Sequence, residues 1–99
     1  MTVFAAIADD NRRAIFDLLV RDGSGTATVL ASTVGITRQA AAKHLTILAD
    51  AGLATSERVG RETRFRPVPD GLGPLRGWID ATATAWDRRL DGLADRFDR

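Results

Sequence analysis

Apolar residues recur at helical spacing along most of the chain. Val3, Phe4 and Ile7 make a first short stripe, with Thr2 placed to cap it. Asp9 ends that segment and opens the next, its carboxylate suited to the positive end of a helix. Ala14, Ile15, Leu18 and Leu19 are the inward positions of this second helix, which is expected to run to about Arg21. The loop Asp22-Gly-Ser-Gly leads to a third stripe, Val29, Leu30 and Val34, which Thr26 or Thr28 can cap. Gly35 supplies the left-handed backbone that stops it short. Thr37 then caps a fourth helix, and Gly52 closes it. At about 100° per residue, Ala41, Leu45 and Leu48 of that helix point one way, with His44 at their edge. Gln39, Ala42, Lys43, Thr46 and Asp50 point the other way, and Arg38 stands at the N-terminal tip.

After Leu53 the period changes. Leu53 to Val59 is an extended-type run, Gly60-Arg61 makes a turn, and Thr63 to Val68 alternates at strand period. Two short strands about a glycine turn form a hairpin, with Pro67 marking the end of the second strand or an edge position. Pro67-Val-Pro-Asp-Gly-Leu-Gly-Pro reads as an irregular linker, and Pro74 suits the first turn of a final helix reaching about Phe97. Its apolar positions Ile79, Ala83, Trp86, Leu90, Leu93 and Phe97 are spaced alternately by four and three. That is a heptad seam, the pattern by which two helices pack along their length, and Leu75 and Trp78 widen its start. A seam so long on a small chain predicts a partner helix; the alternative is that it covers the chain's own core. The expected fold is mainly α with a small β-hairpin (α+β), as one domain over 1–99. Residues 26–53 form a helix-turn-helix, 54–68 a wing and 73–97 a dimerisation helix: the layout of a winged helix-turn-helix.

The outer face of the fourth helix carries amide, ammonium and hydroxyl groups, as a helix does that reads base edges in the major groove. The same row would also serve as an ordinary solvated face. Charge favours the first reading. The net charge of +1 says little, but residues 1–36 carry −1, residues 37–66 carry +3 and residues 67–99 carry −1. The basic excess lies on the fourth helix and hairpin, where Arg58, Arg61, Arg64 and Arg66 would meet phosphates. Arg12 and Arg13 sit in the first turn of the second helix, unfavourably for cations. They point either to an anionic partner, DNA or an internal carboxylate, or to ordinary surface arginines.

The hydrophobic fraction of 44% and charged fraction of 27% are those of a globular chain. No apolar run approaches the ~20 residues that span a bilayer, and the N-terminus has no signal-peptide pattern, which predicts a cytoplasmic protein. The absence of cysteine removes disulfides, thiolate metal sites and cysteine nucleophiles, and the single His44 cannot build a zinc site. Asp87, Asp91 and Asp95 stand at i, i+4 spacing, but carboxylate stripes on long helices are usually solvated. No nucleophile and base are placed to act together, so an enzyme is not expected, nor any cofactor or metal.

Three runs in order carry a family resemblance: Asp9-Asp-Asn-Arg-Arg-Ala-Ile-Phe-Asp-Leu-Leu, then Gly35 to Leu53 with its Lys43-His44-Leu45, Leu48 and Ala51-Gly52-Leu53, then Arg58-Val-Gly-Arg-Glu-Thr-Arg-Phe. Together they resemble the arsenic-repressor (ArsR/SmtB-like) transcription regulators over nearly the whole chain. The resemblance implies a homodimeric winged-helix protein, usually a repressor released by a ligand or metal. It implies double-stranded operator DNA as partner, met by Thr37, Arg38, Gln39, Ala42, Lys43, His44, Thr46, Arg58, Arg61 and Arg64. The dimer would close through the terminal helices at Phe4, Ile79, Ala83, Trp86, Leu90, Leu93 and Phe97. Metal-sensing members carry cysteines in the first helix of the DNA-binding motif, or His and acidic ligands on the last helix. Here Ala27-Thr-Val-Leu-Ala occupies the first place and the last helix has no His. Trp78 and Trp86 instead resemble a non-metal branch, and a small-molecule or protein effector of unknown identity stays open. An architectural DNA binder without sequence preference, and a winged-helix module that binds protein, are the alternatives.

Overall fold

The computed structural model describes residues 1–97, the last without its side chain. The elements run α1 (Val3–Ala8), α2 (Asp10–Asp22), β1 (Gly25–Thr26), α3 (Ala27–Val34), α4 (Arg38–Asp50), β2 (Ala54–Val59), β3 (Glu62–Pro67), a 3-10 turn (Pro69–Leu72) and α5 (Gly73–Phe97).

Four helix starts are fixed by side chains. Thr2, Thr26 and Thr37 accept backbone N–H bonds from Ala5, Val29 and Ala40 at 3.2, 3.4 and 3.1 Å, and Asp9 accepts one from Arg12 at 2.9 Å. Each satisfies a donor that the first helical turn leaves without an internal partner. The turn between α3 and α4 is made at Gly35, whose φ of 84° lies in the left-handed region. Gly35 and Ile36 both donate to the Ala31 carbonyl, so α3 ends in two steps and the chain reverses into Thr37.

The core lies among α1 to α4 and the start of β2. Ile15, Leu19, Leu45, Leu48 and Leu53 are fully buried, and Ala6 and Ala41 let the helices approach closely. One inward assignment made from the sequence needs correction. In α3 the buried residues are Leu30 and Ala31, whereas Val29 is 61% exposed on the outer side. In α1 the buried residues are Val3 and Ala6, and Phe4, expected at a dimer interface, turns outward to meet Trp78 edge-on, with ring centroids 6.0 Å apart. An eight-residue and a six-residue helix have room for one inward row each, and the tightest helix contacts select small residues for it.

The hairpin proves to be two-thirds of a three-stranded antiparallel sheet of order β1-β3-β2. Gly25 pairs with Phe65 and Thr26 with Arg64, so the loop before α3 covers the edge of β3 that would otherwise be open. Between β2 and β3 a two-residue turn, Gly60-Arg61, pairs Val59 with Glu62 and Arg58 with Thr63. Only its first residue has positive φ (63°), the type II′ pattern that matches strand twist.

The stretch expected to be an irregular linker is ordered. Val68 donates to the Leu53 carbonyl at 2.7 Å, and the 3-10 turn follows at once. Gly71 lies so close to Gly52 that a Cβ there would collide with the Gly52 carbonyl oxygen. Leu72 and Leu75 pack on the core, and from Trp78 onward α5 leaves the body. The protein is 70 Å long and 23 Å across, because most of α5 projects. No helix among the described residues is long and apolar enough to cross a membrane. Helix, turn, helix and strand hairpin together are a winged helix-turn-helix.

Candidate nucleic-acid interface

The α4 helix presents its two faces as its period demands. Ala41, Leu45 and Leu48 are completely buried, and Arg38, Gln39, Ala42, Lys43, Thr46 and Asp50 are exposed. Burial of the first set orients the second, so the outer row stands on a rigid element rather than a loop. Thr37 is exposed just ahead of it, its hydroxyl oxygen committed to the cap. The Thr46 hydroxyl donates to the Ala42 carbonyl at 3.0 Å, which leaves its methyl group and an acceptor lone pair outward.

The wing meets this row across an open cleft of ≈ 310 Å³. Arg38, Ala42 and Thr46 line one wall, Arg58, Arg61, Thr63 and Phe65 the other, and Thr28 from the start of α3 closes the end. Arg38, Lys43, Arg58 and Arg61 form no salt bridge among the described residues, and Glu62 is the one acidic residue in the cleft lining. The other wing arginines are occupied. Strand alternation puts Arg64 and Arg66 on the face opposite Arg58. Arg64 is half-buried, donating to Ser24 Oγ at 3.3 Å with Glu62 at 3.7 Å, and Arg66 binds Glu57 at 3.2 Å. The structure thus brings Arg58 and Arg61 to the α4 side and turns Arg64, expected among the DNA contacts, away from it.

Thr26, Ala27, Thr28, Glu62, Thr63 and Phe65 also line the cleft and were not among the expected contacts. A signal for Thr63 was present: a two-residue turn at Gly60-Arg61 places it opposite Arg58, hence on the same face. Thr28 is available because Thr26, rather than Thr28, caps α3.

Of the two arginines that looked misplaced at the start of α2, Arg13 meets an internal carboxylate, Asp10, as one reading expected, and both also bind carbonyls at the end of α1, which neither reading named. Arg12 donates to the Ala5 and Ala6 carbonyls and Arg13 to the Ile7 carbonyl at 3.0 Å and to Asp10 at 2.8 Å. They lie at the C-terminal end of α1, where unpaired carbonyls and the negative end of the dipole favour cations. The Arg12 backbone N–H, more than any other group, holds the Asp9 carboxyl below the usual carboxylate range; the nearby His44 and Arg12 side chains add to this and partial burial opposes it. His44 is half-buried on the flank of α4, and its Nδ1 faces Arg12 rather than the cleft.

On α5, Ile79, Ala83, Trp86, Leu90 and Leu93 are all exposed, as are Trp78 (57%) and the neighbouring Phe4 (41%). The seam does not cover the chain's own core. The Phe97 side chain, placed in the same seam from the sequence, lies outside the described residues. No cluster of three or more His, Cys, Asp or Glu that could hold a metal ion occurs among the described residues.

Residues 7–57 match the family model for a helix-turn-helix domain. A Bacillus subtilis (strain 168) protein, the uncharacterized HTH-type transcriptional regulator YuzN, is 39% identical over 79% of this chain and 92% of its own. Among solved structures, an ArsR-like transcriptional regulator from Rhodococcus sp. RHA1 is 38% identical, with a TM-score of 0.75 over 92% of this chain and 85% of that one. The homodimeric winged helix-turn-helix DNA-binding domain of Mb0332 from Mycobacterium bovis is 26% identical, with a TM-score of 0.65 over 83% of this chain and 75% of that one.

Proposed function

The chain belongs to the ArsR-type helix-turn-helix transcriptional regulators, which are not enzymes, and from that premise we propose that it is a homodimeric repressor of cytoplasmic operator DNA. The observation that carries the reading is the exposed row Arg38, Gln39, Ala42, Lys43 and Thr46, held rigid by the buried row behind it and flanked by unpaired wing arginines. In this reading residues 26–53 form the reading unit, α4 enters the major groove, and Arg61 at the wing tip meets phosphate or the minor groove. The backbone of one strand runs along the cleft between them. The apolar face of α5 pairs with that of a second copy, for which the homodimeric relative is a precedent. A two-fold dimer then requires an inverted repeat, with half-sites about one helical turn apart or a multiple of it.

Release by a small-molecule or protein effector belongs to the same proposal. The test is to sequence the fragments that the protein enriches from its own genome. A shared inverted repeat upstream of genes is expected, with reporter expression rising when the regulator is deleted. Enrichment without a shared motif would mean an architectural binder. No enrichment, with binding to protein that is insensitive to salt, would mean an interaction module.

A further inference from the structure

Arg12 and His44 lie outside the outer row of α4, and they meet each other. The Arg12 guanidinium reaches across the α1–α2 corner, with Nε donating to the Ala6 carbonyl at 2.6 Å and Nη2 to the Ala5 carbonyl at 3.1 Å. Its Nη1 lies 3.3 Å from Nδ1 of His44. A guanidinium has five N–H donors and no acceptor, so Nδ1 must be the group that accepts. A neutral imidazole that accepts at Nδ1 carries its proton on Nε2.

Nε2 has no protein partner among the described residues, and no buried side-chain nitrogen or oxygen there lacks one, so the Nε2–H opens to solvent. His44 lies on the half-buried flank of α4 with Ala40 and Ile47, next to the outer row that begins at Lys43. A donor on that flank meets the rim of a groove, where phosphates lie, rather than its floor.

We propose that Arg12 is a positioning residue for DNA binding: it fixes His44 as the Nε2–H tautomer, which donates to a backbone phosphate. This rests on the reading of α4 as the groove helix. The same guanidinium holds the last turn of α1, so one side chain sets both the end of α1 and the edge of the DNA-facing surface. Lysine could not replace it, because a single ammonium lacks the planar fork that reaches two carbonyls and a ring nitrogen.

His44 is the only histidine, so long-range 1H–15N NMR of the free protein reads its tautomer without ambiguity, at a pH where the ring is neutral. One protonated nitrogen at Nε2 and one bare Nδ1 are expected, and Arg12→Met should bring the two toward an averaged shift. A proton on Nδ1, or averaged nitrogens in the unaltered protein, would overturn the lock. Two further variants leave Arg12 intact and test the phosphate contact with a random-sequence duplex at low salt. His44→Asn keeps an inner acceptor but withdraws the outer donor, and should weaken binding about tenfold, the size of a hydrogen bond to a charged group. His44→Gln places a donor near the Nε2 position and should stay close to the unaltered protein. Equal losses in both, or none in either, would overturn the contact. If the unaltered protein fails to bind the duplex, the groove-helix reading falls and the phosphate contact with it, while the NMR result still decides the tautomer lock.

Discussion

Gln39 and Arg61 stand on different parts of one surface, and their chemistry predicts different effects on binding. The Gln39 amide, on the exposed row of α4, can make a bidentate pair with a base edge, so Gln39→Ala should cost about 1–3 kcal/mol on the cognate site and far less on random duplex. Arg61, unpaired at the wing tip, should weaken both alike when truncated and flatten the salt dependence by about one unit per protomer if it neutralises one phosphate. Affinities across a salt series for both variants separate these roles, and an unchanged specificity ratio in Gln39→Ala would remove α4 as the reader. A second prediction concerns Asp9. Its lowered pKa means that its cap is fully effective above the unfolded value of ~3.9 and is lost as pH falls through the lower folded value. Asn also caps well, so Asp9→Asn removes only the charge. The variant should melt below the unaltered protein near neutrality, and the gap should close in acid below about pH 4. A gap that is independent of pH would dismiss the charge. The caps at Thr2, Asp9 and Thr37 were legible because each cap bonds within three residues of itself. Arg12 was not, because its partners Ala6 and His44 are set by how three helices pack.

At the scale of elements, the sequence specified those that carry their own period and missed those that exist only by contact. The α2, α4 and α5 helices and the hairpin each repeat a pattern long enough to read. The β1 strand is two residues long and is a strand only because β3 runs beside it. The 3-10 turn follows from the approach of Gly71 to Gly52, two glycines that are nineteen positions apart in the chain and show no local pattern. This contact sets where α5 departs from the body. Gly71→Ala should therefore do more than change a turn: the added methyl group meets a carbonyl and the fully buried Leu53, and backbone has to move. Overpacking of this kind costs about 1–3 kcal/mol. Thermal unfolding should show the loss, and amide exchange should quicken at Val68, whose N–H donates to the Leu53 carbonyl and closes the corner. Stability equal to that of the unaltered protein would show that the corner is slack. The wing arginines teach the same lesson, since strand alternation was readable, yet which face turned to α4 depended on Ala54 being drawn into the core.

The whole molecule is unbalanced as a monomer. A helix of 25 residues, about 37 Å at 1.5 Å per residue, is anchored only near its start, and its apolar stripe faces solvent. Trp78, Ile79, Trp86, Leu90 and Leu93 together expose far more aromatic and aliphatic surface along one line than scattered surface residues would. An isolated helix of that length gains little from propensity alone and depends on packing for its order. Pairing with a second copy, as proposed, would supply that packing, and Phe4 beside Trp78 extends the same surface onto α1. Because Trp86 and Leu90 touch nothing in the chain's own core, charge at either position tests pairing without attacking the fold. In a dimer, Trp86→Asp or Leu90→Asp would bury an unpaired carboxylate in the seam, at a cost of several kcal/mol. The expected products are folded monomers whose α1–α4 amide NMR resonances stay dispersed while the far end of α5 loses helix. Sedimentation should show the monomer at concentrations where the unaltered protein is dimeric. The same variants should bind a single half-site weakly and lose the gain that an inverted repeat provides, since that gain comes from linking two reading heads. Native dimers that keep full affinity for an inverted repeat would place the interface elsewhere and leave the apolar line on α5 without its partner.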